Sequence, residues 1–327
     1  MSHNYKNTKS ESVNLKKSKN IWLYIILSVL LITNIVSLFF YFRTLNIENS
    51  RSSKINISPF LNPLRAVVDK KDMIVSIQPL RDEINRLTDN NPDISIYFEF
   101  LNTGANISVN KDAEFFPASL SKLPLAMTVV KKIERGEWKW ENELVLMPTD
   151  KDDRFGNLYK QPIGTRMTIE NLVKEMLINS DNTAYTMILR NLEPEEFKAT
   201  QKSLGLDSFF SNEGKISAKN YTVILRALYN ASYLNISDSE KLIRMMADSE
   251  TNDFLSKGVP KNVLFSHKVG ISDEKSVYLD AGIVYLPNRP YFLIVMVNTS
   301  DENKAKVEMK EISEKVYNYI NNYNNED

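Results

Sequence analysis

The sequence predicts an α/β (α+β) architecture: an antiparallel sheet flanked by terminal helices, a helical subdomain inserted between strands distant in the chain, and a transmembrane helix ahead of both. Three observations carry this. A run of 22 uncharged residues, 21–42, lies close to the N-terminus. β-patterned segments fall in two groups, 94–110 and 263–298, and the chain between them has helical periodicity. One amphipathic segment precedes the first group and another follows the second.

Residues 1–20 carry five lysines and one glutamate and read as a cytoplasmic tail. The run 21–42 would extend about 33 Å as a helix, enough to cross a bilayer core. Lys6, Lys9, Lys16, Lys17 and Lys19 precede it, and only Arg43 follows at once. The positive-inside rule then predicts a single-pass protein of the cell membrane with its bulk on the extracytoplasmic side. No Ala-x-Ala-like site follows the run, which favours an uncleaved anchor over a signal peptide. Residues 43–71, with Pro59 and Pro63, read as a stalk, and 72–327 as the folded domain.

Within that domain, Ile74, Ile77, Leu80, Ile84 and Leu87 recur at helical spacing until Asp89-Asn90-Asn91-Pro92 stops the helix. A strand over 94–101 turns at Asn102-Thr103-Gly104 and returns over 107–110. Helices are expected over 119–134, 169–178, 183–192 and 195–204, and from an N-cap at Ser217 to about 229. Strands follow at 263–267, 276–285 and 291–298, the last two joined through Pro287-Asn288-Arg289-Pro290. Asp301 caps a final helix to about 323.

Composition narrows the chemistry. There is no cysteine, hence no disulfide, thiolate metal site or thiol nucleophile. The two histidines, His3 and His267, exclude a multi-histidine metal centre. Beyond residue 20 the chain has 36 basic and 40 acidic side chains and no basic block, so nucleic acid is not an expected partner. No motif calls for a cofactor. Catalysis must run on Ser, Thr, Tyr, Lys, Asp or Glu.

Three short motifs carry candidate chemistry. In Pro117-Ala118-Ser119-Leu120-Ser121-Lys122, a serine and a lysine three apart at a helix start share one face. The helix dipole favours an alkoxide there, and an amine with lowered basicity can take the hydroxyl proton. The spacing alone selects nothing, because Ser108/Lys111 and Ser272/Lys275 repeat it, and a capping serine beside a solvated lysine is the ordinary alternative. Ser180-Asp181-Asn182 lies between two apolar helices, where these types also make plain turns. His267-Lys268-Val269-Gly270 ends a β-like run. A lysine there binds a carboxylate as a point charge, and Gly270 lets a substrate backbone approach the strand edge; an ordinary strand end reads the same.

Together and in this order, Ser-x-x-Lys, Ser-Asp-Asn and Lys-x-Gly resemble the motif set of class A β-lactamases and penicillin-binding proteins. The resemblance runs from about residue 72 to 323. It includes Phe115–Met127, the lead-in Gly164-Thr165 to Ala184, and Asp280-Ala281-Gly282-Ile283-Val284 before a proline turn. It implies a β-lactamase/transpeptidase-like fold with a five-stranded sheet, and a serine hydrolase acting on β-lactams or peptidoglycan stem peptides. Ser119 would be acylated, Lys122 would shuttle its proton, and Ser180 would relay a proton to the leaving nitrogen. Asn182 would hold Lys122 and the substrate amide, and Lys268 would bind the substrate carboxylate. The backbone N–H groups of Ser119 and Ile271 would form an oxyanion hole.

The sequence departs from that family in two places. Its deacylating glutamate, in a Glu-x-x-Leu-Asn-like loop, has no counterpart between Asn182 and Ser217. Glu213 lies nearest, and a surface-loop glutamate is the expected reading. Val269 replaces a hydroxyl residue that helps bind the carboxylate, a loss for which Ser272 is a candidate compensation. His267 is expected on the strand surface, and Trp138 and Trp140 are expected in the core rather than as a sugar platform. β-Lactam hydrolysis is the leading activity. D,D-carboxypeptidase or another peptidoglycan peptidase is the alternative, with a weakly catalytic β-lactam- or cell-wall-binding module as the non-enzymatic rival.

Overall fold

The computed structural model describes residues 24, 26–39, 41, 72–74 and 76–323. The chain divides into two units, Met1–Ile57 and Ser58–Asp327. In the first, the described residues belong to a helix, α1 (26–39, with 24 and 41), and all are exposed. Here the sequence expectation is corrected: among the described residues no helix is long and apolar enough to cross a membrane. Polar groups interrupt α1, with Thr33 and Asn34 turning back to bond the Leu30 carbonyl. The expected tail 1–20 and stalk 43–71 lie outside the described residues.

The second unit opens with α2 (Gln78–Thr88), which starts later than expected because Pro79 occupies its first turn. The hairpin β1 (Ile94–Phe100) and β2 (Ala105–Val109) follows, then β3 (Glu114–Phe115) and α3 (Lys122–Glu134). Next come β4 (Glu143–Val145), β5 (Arg166–Thr168), α4 (Ile169–Ile178), α5 (Asn182–Arg190) and α6 (Pro194–Ser203). The helical block closes with β6 (Ile216–Ser217), α7 (Ala218–Tyr229) and α8 (Ile236–Ala247). Last are β7 (Leu264–Ser272), β8 (Val277–Tyr285), β9 (Tyr291–Asn298) and α9 (Glu302–Asn322). As the sequence predicts, Ser217 and Asp301 accept the N-cap hydrogen bonds of α7 and α9. The sequence reading does not contain α8, although its cap, Asn235, and its apolar spacing at Leu242, Ile243 and Met246 are both legible.

Five strands form one antiparallel sheet in the order β2-β1-β9-β8-β7. Side chains alternate across it. On β9, Phe292, Ile294 and Met296 pack into the helical subdomain, while Leu293, Val295 and Val297 pack toward α2 and α9. A central strand buried on both faces must be continuously apolar, which is why 291–298 reads so plainly. From α9, Ala305, Met309, Ile312, Val316 and Ile320 close the second layer. The edge strand β7 runs through to Ser272, paired with Val277, so the Lys-x-Gly motif lies within the strand and not at its end.

Candidate active site

Ser119 sits in a 3-10 turn, Ala118–Ser121, that runs directly into α3. Two contacts hold the turn. Phe115 pairs with Ile216 just before it, and the Ser121 hydroxyl bonds the Ala118 carbonyl at 2.8 Å. Ala118 has φ 42°, a left-handed conformation that few non-glycine residues adopt. From the other side β7 presses on the same turn: a Cβ at Gly270 would stand 3.1 Å from the Pro117 carbonyl oxygen. A side chain at 270 would therefore push the strand from the turn.

Lys122, three residues on, is 2% exposed. Its Nζ lies 3.0 Å from Ser119 Oγ, 2.6 Å from Asn182 Oδ1 and 3.3 Å from Ser180 Oγ, and it also donates to the Ser180 carbonyl. Burial, and then the charge of Lys268, lower its pKa to about 6. Near neutral pH it is mostly an uncharged amine with a lone pair beside a hydroxyl. Nucleophile and base thus lie within one hydrogen bond.

Ser180 follows α4 in a left-handed conformation, φ 55°, which turns its hydroxyl toward both lysines. Lys268, fully buried on β7, donates to Ser180 Oγ at 2.9 Å. Burial lowers its pKa to about 7, opposed by the negative charge of Asp280. Asp181 caps α5 through the Ala184 amide at 2.8 Å and receives the Asn157 and Leu158 amides at 2.7 and 2.9 Å. A Cβ at Gly156 would collide with Asp181 at 2.0 Å, so only glycine lets this loop close on the motif.

The five residues Ser119, Lys122, Ser180, Asn182 and Lys268 therefore converge; Ser119, Lys122, Asn182 and Ile271 line a cavity of about 630 Å³, and Ser180 and Lys268 are buried beside Lys122 without lining it. Two neighbours escaped the sequence reading. Asp152 accepts from Asn182 Nδ2 at 3.1 Å and pairs with Arg154, whose hydrogen bond holds the carboxyl well below its usual range. Phe210 brings an aromatic ring to the cavity from the loop before β6. No local pattern marks either residue, because the Asp152–Asn182 contact joins segments 30 residues apart.

Other expectations resolve differently. Glu213 side-chain exposure is 70%, it pairs with Lys215, and it does not line the cavity. Val269 is buried in the layer facing α2 and α9, since alternation turns it away from the side of Lys268; a hydroxyl missing there is not missing from the cavity wall. Ser272 does line the cavity. His267, expected on the surface, is 1% exposed and bonded to Asp280. Trp138 and Trp140 pack against the helical core, with Lys132 and Lys241 over their rings.

The domain is similar to known proteins. The family model described as "Beta-lactamase enzyme family" matches residues 79–320. Beta-lactamase VEB-1 of Pseudomonas aeruginosa is 24% identical over 260 residues, covering 70% of this chain and 85% of that protein. A beta-lactamase of Streptomyces fradiae is 26% identical over 216 residues, covering 60% of this chain and 70% of that protein. Among solved structures, PBP-A aligns with a TM-score of 0.69 at 24% identity, over 76% of this chain and 97% of that one. A beta-lactamase from Sphaerobacter thermophilus aligns with a TM-score of 0.67 at 18% identity, over 75% and 98%. A mutant of PBP-A is known as an acyl-enzyme complex with penicillin G.

Proposed function

The chain belongs to the beta-lactamase enzyme family, a serine hydrolase acting on amide bonds, and on that premise we propose that Ser119 is its nucleophile and that β-lactams acylate it. The observation that carries the reading is the 3.0 Å contact between Ser119 Oγ and a buried Lys122 amine of lowered basicity. Lys122 takes the hydroxyl proton as Oγ attacks the carbonyl carbon. The N–H groups of Ser119 and Ile271 receive the developing oxyanion. Ser180, between the two lysines, passes a proton to the departing nitrogen and is reprotonated from Lys122. Asn182 offers its amide nitrogen to the acyl side chain, and the Lys268 ammonium attracts the substrate carboxylate through Ser180.

Release of the acyl group needs an oriented water. The loop before β6 contributes Phe210 to the cavity, while Glu213 points to solvent. Asp152, which lines the cavity beside Asn182, is held in its ionised form by Arg154 and is a weak base. This favours fast acylation and slow hydrolysis of β-lactams, and it supports the second reading, a peptidase of peptidoglycan stem peptides that penicillin traps. Intact-protein mass over time with benzylpenicillin tests both. A long-lived adduct absent from Ser119→Ala is the expected result, rapid loss of the adduct would assign an efficient β-lactamase, and no adduct would overturn the nucleophile.

A further inference from the structure

On the far face of β7, behind Lys268, lies a buried His–Asp pair that the reaction above does not use. His267 stands between Phe265 and Val269 on the side of the strand facing the terminal helices, and its ring stacks on Phe265 with centroids 4.4 Å apart. Its Nδ1 lies 2.8 Å from Asp280 Oδ1. Its Nε2 lies 3.3 Å from Asn252 Oδ1. The orientation of that amide is fixed, because Asn252 Nδ2 donates to the Ser249 carbonyl at 2.8 Å. Both ring nitrogens thus face oxygens that only accept, and an imidazole satisfies two acceptors only with a proton on each nitrogen. The second oxygen of Asp280 receives the Leu255 amide at 3.1 Å. Asp280 is opposite Val269 in the β7–β8 ladder, and Lys268 is opposite Ala281. Carboxylate and ammonium are therefore one register apart, on opposite faces of a thin sheet, where a charge is felt strongly.

We infer that His267 and Asp280 form an imidazolium–carboxylate positioning pair for Lys268, pinning the edge strand to the 249–258 segment and balancing the charge that Lys268 senses through the sheet. The inference rests on the reading of Lys268 as a substrate-binding ammonium. Lys268 meets Ser180 and Lys122 on its own side and Asp280 across the strand. Beyond His267, Asp253 is bridged by Lys257 and by Lys306 of α9.

Removing either half of the pair must move Lys268 in opposite directions. Asp280→Asn deletes a negative charge, so Lys268 should lose its proton at lower pH. His267→Gln deletes a positive charge, so Lys268 should keep its proton to higher pH. Shifts on the order of one pH unit are expected. The readout is the lysine side-chain carbon titration of the full chain, with Lys268 assigned by its absence from Lys268→Gln. The alkaline limb of benzylpenicillin acylation should follow the same two shifts. Equal or same-sign shifts would reduce the pair to packing and overturn the inference. Nitrogen NMR of the wild-type imidazoles needs no variant, since His3 is the only other histidine. Hydrogen-bonded protons on both His267 nitrogens are expected, and a neutral tautomer would overturn the pair. Absence of any acyl adduct, by contrast, would count against the functional reading and leave both NMR tests valid.

Discussion

Lys122 and Lys268 meet at one oxygen: their Nζ atoms lie 3.3 and 2.9 Å from Ser180 Oγ, approached from α3 on one side and β7 on the other. Two amines this close cannot both be ammonium without cost, and burial compounds the penalty. The arrangement divides them into a base that is neutral and a cation that stays charged over part of the same pH range.

The acylation rate should therefore be bell-shaped in pH. Lys122 becomes competent as pH rises through about 6, and Lys268 loses its charge as pH rises through about 7. The second-order rate of benzylpenicillin acylation between pH 5 and 9 checks this, with a narrow maximum expected between those two limits.

Stability should carry the same signature. In the unfolded chain Lys122 titrates near 10.5, so between about 6 and 10 the unfolded state binds more protons and stability rises with pH. Lys122→Met removes that contribution. Urea unfolding at several pH values should show the wild type gaining on the variant by up to about 1.4 kcal/mol per pH unit.

Gly270→Val should cut acylation by about tenfold or more while leaving a folded protein. The added side chain meets the Pro117 carbonyl and the Ala118 methyl, at 3.1 and 3.4 Å from its first carbon. The nucleophile turn must then shift, and misplacement of a reacting group by about an ångström is enough for such a loss. Stopped-flow acylation alongside circular dichroism separates the two effects.

Asp152→Ala should weaken substrate binding more than it slows chemistry. The carboxylate fixes Asn182 so that Oδ1 faces Lys122 and Nδ2 faces the cavity wall. Freed of it, the amide samples both orientations. A several-fold rise in the half-saturating benzylpenicillin concentration, at nearly constant limiting rate, is the expected result.

Glu213→Gln should change neither acylation nor deacylation beyond twofold, because its carboxylate is outside the cavity and engaged with Lys215. A slower loss of the acyl adduct would reassign it as the water activator.

Much of this molecule can be read from its residues, and the reasons differ by element. Strand β9 is legible because both faces are buried, which leaves a continuous apolar run. Helices α7 and α9 announce themselves through Ser217 and Asp301. Ser119, Lys122, Ser180, Asn182 and Lys268 are marked by motif order rather than by any single spacing. Asp152 and Phe210 are not marked, because each reaches the site from a segment far from the motifs in the chain. The edge strand looks shorter in the sequence than Leu264–Ser272 because Gly270 interrupts its apolar pattern, and the turn packed against that glycine lies far away in the chain. The N-terminal run shows the opposite failure: its lack of charge suggests a span, yet among the described residues no helix is long and apolar enough to cross a membrane.

The left-handed backbones of Ala118 and Ser180 have a consequence for how the domain holds together. Each non-glycine residue in that region costs roughly 1–3 kcal/mol, and each adjoins a group of the reaction cavity. An isolated peptide would relax both within its first fluctuations. The surrounding sheet and helices keep them wound, so the shape of the cavity exists only while the whole scaffold does. A glycine at either position would make the domain harder to melt and its reacting atoms less precisely placed.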